Sequence, residues 1–69
     1  SDAELLAKLG QVEMELDETL LWLELLVDSG IVPAERMAPL TGEAEELLRM
    51  TVAAIKTTKL RVRRGGPGI

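Results

Sequence analysis

The chain has 69 residues, 12 acidic and 8 basic side chains, a net charge of −4, and neither His nor Cys. These absences exclude an imidazole base, a thiolate nucleophile, a His/Cys metal site and any disulfide, and they point to a reducing, cytoplasmic setting. No apolar run reaches the roughly 18–20 residues of a membrane span.

Ser1 followed by Glu4 has the spacing of a capping box, and Asp2 and Glu4 suit the positive end of a helix. From Ala3 to Asp28 there is no Pro and a single Gly, and Gly30 supplies a stop signal. One long helix is therefore expected over about residues 3–29. Leu5, Leu9, Val12, Leu16, Thr19, Leu23 and Leu26 recur at alternating steps of four and three, the seam of a bundle or coiled coil. Met14, Leu21 and Leu25 fall on roughly the opposite side, with Trp22 between the two faces. A helix that is apolar nearly all round is buried on more than one side, so these four residues are expected at a subunit interface.

Ser29 to Pro33 forms the connection. Pro33 suits the first position of a following helix, and Ala34 to Ala38 is expected as a short turn. Pro39 lacks a helical donor and disfavours helix at Ala38, so a turn or kink is expected over 33–40. Thr41 would then cap a second helix over about 41–62. Its apolar face runs through Leu40, Ala44, Leu47, Leu48, Thr51, Ala54, Ile55, Thr58 and Val62. Glu4–Lys8 and Glu45–Arg49 have the spacing of favourable i,i+4 pairs. The glycines and Pro67 of residues 65–69 end the helix and read as a flexible tail.

The fold class is thus all-α: an antiparallel helical hairpin over residues 1–64. Chains below about 70–80 residues are usually held together by disulfides, metal or oligomerisation. The first two lack ligands here. Self-association into a four-helix bundle, with a dimer favoured, is the remaining route.

Charge is uneven. Residues 1–30 hold eight acids and one Lys, 31–58 hold four acids and three bases, and 59–69 hold four bases. Arg49, Lys56 and Arg63 recur every seven residues and face away from the apolar stripe. Together with Arg61 and Arg64 they are candidate contacts to RNA or DNA. Glu13, Asp17, Glu24 and Asp28 form an acidic stripe on the first helix. A solvated face and a frayed terminus are the favoured explanation of both patterns, and a lone Arg-Gly-Gly is a weak signal for RNA.

No catalytic constellation emerges. Glu15-x-x-Glu18 and Glu43-x-x-Glu46 lie off the apolar seams and lack the His partners of a bundle metal site. No base stands ready to activate Ser or Thr, and the glycines do not form a phosphate loop. No cofactor, metal or small-molecule substrate is expected.

Several segments resemble a known family: Ala3-Glu4-Leu5-Leu6-Ala7-Lys8-Leu9-Gly10, then Glu18-Thr19-Leu20-Leu21-Trp22-Leu23-Glu24-Leu25-Leu26, Ser29-Gly30, Glu45-Glu46-Leu47-Leu48-Arg49-Met50 and Ile55-Lys56-Thr57-Thr58-Lys59. They are similar to the C-terminal half of the bacterial four-helix-bundle proteins encoded in intervening sequences of 23S rRNA genes. The Glu-Thr-Leu-x-Trp-Leu-Glu-Leu run is the most specific piece. The resemblance covers residues 1 to about 61, matching the family's third and fourth helices. The first two helices, which carry much of the family's basic character, are not in this sequence. The chain is then either a short gene product or a fragment. The resemblance implies up-and-down bundles that assemble into rings, commonly pentamers. It also implies nucleic-acid binding of the kind found in relatives that serve as accessory proteins of diversity-generating retroelements. Composition and resemblance together lead to a non-enzymatic, homo-oligomeric assembly module, with nucleic-acid binding as the alternative.

Overall fold

In the computed structural model, residues 1–65 are described. They form two helices, α1 (Asp2–Asp28) and α2 (Ala34–Arg63), packed antiparallel as a hairpin. The molecule is a rod measuring 53 × 15 × 12 Å between Cα atoms. There is no strand among the described residues.

Local chemistry sets the ends of α1. Ser1 Oγ accepts the Glu4 N–H, and the Glu4 carboxylate reaches back to Ser1, completing the capping box. Glu4 is thereby engaged with Ser1 in place of the expected pairing with Lys8. At the other end Gly30 takes φ +79°. The Ile31 N–H donates to the Leu26 carbonyl and the Gly30 N–H to the Val27 carbonyl, a Schellman closure of the last turn. A left-handed residue is needed to turn the chain there, and Gly adopts that conformation without a Cβ penalty.

The second helix departs from expectation at its start. Pro33 is the N-cap rather than the first helical residue, and its carbonyl accepts from the N–H groups of Arg36 and Met37. From Ala34 the helix runs unbroken through Pro39, so the expected break over 33–40 and restart at Thr41 are replaced by one continuous helix. Pro39 forfeits only the bond to the Glu35 carbonyl, and both residues are exposed, where water serves that carbonyl. Meanwhile Met37 is buried against α1 and holds the first turn in place. At the far end Gly65 takes φ +72° and its N–H donates to the Val62 carbonyl. The rest of the expected tail lies outside the described residues.

Burial defines the register. On α1 the residues withdrawn from solvent include Leu6, Leu9, Glu13, Leu16, Leu20, Leu23 and Val27, at steps of three and four. On α2 they include Met37, Thr41, Ala44, Leu48, Thr51, Ile55 and Thr58, at the same steps. This is the heptad pattern of a two-stranded coil. The expected α1 seam shared Leu9, Leu16 and Leu23 with it but took Leu5, Val12 and Thr19, which are exposed. The buried stripe is therefore rotated by roughly 50° at 100° per residue.

Size complementarity accounts for the rotation. One inward row of α2 is small beyond Met37: Ala44, Thr51 and Thr58, all buried. They receive the larger residues of α1: Leu20 packs on the cluster of Leu23, Met37 and Ala44. Thr51 and Thr58 each turn their hydroxyl onto a carbonyl of their own helix, Leu47 and Ala54, at 2.8 Å. Their polar atoms are thus satisfied inside the seam.

Candidate self-association surface and basic end

The core is thin. Leu23, Met37 and Ala44 are its buried apolar members, and no described side chain is fully enclosed. Among the described residues twelve large apolar side chains remain exposed.

The four expected interface residues are among them. Met14 is 68% exposed, Trp22 59%, Leu21 54% and Leu25 45%. Leu21, Trp22 and Leu25 share one turn of α1 near the loop, and Met14 lies two turns toward the N-terminus. The hairpin covers none of them.

Sequence reasoning placed Leu5, Val12, Leu40 and Leu47 on the inner faces, yet they are exposed as well. In the register defined by burial, each lies beside the seam rather than in it. Leu5, Val12, Thr19 and Leu26 occupy one flanking heptad position of α1. Leu40, Leu47, Ala54 and Arg61 occupy the same flanking position of α2. In an antiparallel pair these two flanks lie side by side. The heptad position itself was the missed signal, because apolar residues at three adjacent positions leave the seam ambiguous by one step.

The opposite flanks differ in character. Near the loop a shallow groove of about 430 Å³ has a floor of Leu23, Val27 and Met37 and a rim carrying Glu24, Asp28 and Glu45. Among the described residues no group of His, Cys, Asp and Glu is arranged to hold a metal.

The basic residues are all exposed, but two are engaged. Arg49 donates to Glu46 through Nε and Nη2 at 3.0 and 2.7 Å, one residue away from the expected Glu45 partner. Arg61 donates to Asp2 through Nη2 at 2.8 Å and Nε at 3.2 Å, tying the two chain ends together. The Arg61 hydrogen bond and charge hold the Asp2 carboxyl below its ordinary range, and Asp2 raises Arg61 in return. Lys56, Arg63 and Arg64 complete the basic end of α2.

No protein-family model matches the chain, and neither curated proteins nor solved structures show a significant match to it. No helix among the described residues is long and apolar enough to cross a membrane.

Proposed function

We propose that the chain is a non-enzymatic, cytoplasmic assembly module that works by self-association, two hairpins completing a four-helix bundle. The observation that carries this reading is the imbalance of apolar surface. Among the described residues three buried apolar side chains stand against twelve large exposed ones, on a chain without disulfides. Exposed apolar surface on that scale marks an interaction site. The resemblance of residues 1–61 to the 23S rRNA intervening-sequence bundle proteins supports the same reading, with a ring such as a pentamer as the higher-order form.

Light scattering of the purified chain tests it. A mass of two or more copies at micromolar concentration is expected, and a monomer would overturn the proposal. Replacing Trp22 with Ala should weaken association by about 2–4 kcal/mol if the indole anchors the contact.

Nucleic-acid binding is the second reading. It is favoured by the exposed basic residues Arg49, Lys56, Arg61, Arg63 and Arg64 gathered on α2 and its C-terminal end. Binding to RNA or DNA that falls steeply with salt and disappears on truncation after Leu60 would establish it. Absence of binding at low salt would remove it, and binding unaffected by the truncation would move the contact away from the C-terminal end.

A further inference from the structure

Building on the self-association reading, we propose which side of the hairpin the second copy covers and how the helices alternate. The docking face is the flank of Leu5, Val12, Leu26, Leu40, Leu47 and Ala54, with Trp22 and Met50 at its outer edges. On it, α1 of one copy lies beside α2 of the other, with both loops at the same end.

Three observations lead there. The first is which flank is apolar. On the other flank Gly10, Asp17 and Glu24 lie alongside Ala38, Glu45, Val52 and Lys59, of which Val52 alone is a large apolar side chain. Asp17 and Glu45 sit at nearly the same level in the antiparallel register. That side carries its own like charges and fewer large apolar side chains than the flank of Leu5, Val12, Leu40 and Leu47.

The second is area. A hairpin 53 Å long and 15 Å wide presents a broad face on the order of 800 Å². That equals the contribution of each partner to an interface of standard size. A second copy matches it end to end.

The third is charge, which selects the arrangement. Within α1 there are eight acids and one Lys, net −7; within α2 there are four acids and six bases, net +2. Placing α1 beside the other copy's α1 opposes two strongly acidic helices about 8–10 Å apart, a separation of about one Debye length. Placing α1 beside the other α2 opposes unlike charges at both contacts. The side chains along the flank agree. With loops at the same end, Thr19 meets Leu47 and Val12 meets Ala54 across the interface, small against large.

The absence of Cys permits a clean cross-linking test in the full chain. Val12→Cys and Ala54→Cys variants are oxidised separately and as a mixture, with circular dichroism confirming native helicity. The expected result is a mixed disulfide formed at least tenfold faster than either homodisulfide. A Val12→Cys homodisulfide dominating in a dimeric sample would overturn the alternation. In parallel, light scattering compares Leu47→Glu with Leu21→Glu. The first should weaken association at least tenfold, and the second should leave it within about twofold. Loss of the dimer in Leu21→Glu alone would move the interface to the outer side of α1 and sink this proposal while leaving self-association standing. A native chain that is monomeric at all concentrations would remove both.

Discussion

Arg61 grips Asp2 with two hydrogen bonds across 59 positions of sequence, 2.8 Å from Nη2 to Oδ1 and 3.2 Å from Nε to Oδ2. This is the geometry in which a guanidinium matches a carboxylate most closely. Its consequence is a pH dependence. The Asp2 carboxyl titrates below its ordinary value in the folded chain because Arg61 stabilises the ionised form. A lowered carboxylate pKa contributes stability above the unfolded value of about 3.9, and the contribution is lost as pH falls through the folded value. Thermal melts at pH 7 and pH 3 should show a smaller acid-induced loss for Asp2→Asn than for the native chain. An equal loss in both would separate the pair from stability.

Leu23 is the apolar residue of α1 that the hairpin buries most, packed with Met37 and Ala44. Truncating it leaves a cavity in a core with few other members. Leu23→Ala should destabilise the chain by about 2–3 kcal/mol, at the lower end of core truncations because the site retains slight exposure. Urea denaturation followed by helicity measures it, and a midpoint unchanged from the native chain would contradict the packing described.

Capping box, helix turn and charge asymmetry were legible in the sequence because each depends on near neighbours. Ser1 with Glu4 and Gly30 after Asp28 are local chemistry, and both ends of α1 follow from them. The inward stripe was not legible to the same degree. Glu13 is half-buried in the seam, yet an acid among leucines reads as surface. Its presence hides the row Leu6, Glu13, Leu20, Val27 and promotes the row Leu5, Val12, Thr19, Leu26. Only the small residues of α2 decide between them, and they lie on the other helix, at least seventeen positions away. Pro39 misled for a related reason. Its local preference is to break a helix, while the Met37 contact that overrides it is tertiary.

Pro39 carries a test of that balance. It stands inside α2 on the exposed side, where it removes one backbone hydrogen bond and crowds the Glu35 carbonyl. Pro39→Ala restores both, offset in part by a more flexible unfolded chain. A gain of about 1–2 kcal/mol is expected, seen as a higher melting temperature. A loss would mean that the ring itself contributes packing or a needed bend.

Gly30 gives the converse case. A Cβ added there meets nothing within 4 Å, so the only penalty for a side chain is its φ of +79°. Left-handed conformation costs an ordinary L-residue about 1–2 kcal/mol. Gly30→Ala should therefore destabilise by about 1 kcal/mol, and Gly30→Asn by less, because Asn enters this region more readily. The ordering of the two variants is the informative readout. Equal effects would point to lost flexibility rather than to the sign of φ.

Thr51 and Thr58 are the most buried polar residues, and both bond back to carbonyls one turn earlier. Those carbonyls already belong to the helical ladder, so each hydroxyl satisfies itself without being required by a partner on α1. Thr51→Val keeps the branched shape and removes the polar atom, leaving no orphaned donor. Its effect on stability should stay within about 1 kcal/mol. Thr51→Leu adds volume at a buried position of the seam. Overpacking of this kind costs about 1–3 kcal/mol. Denaturation midpoints for the pair distinguish the two contributions. If Val is as damaging as Leu, the hydroxyl holds the seam together; if Leu is harmless, the helices are not as closely apposed as the small residues require.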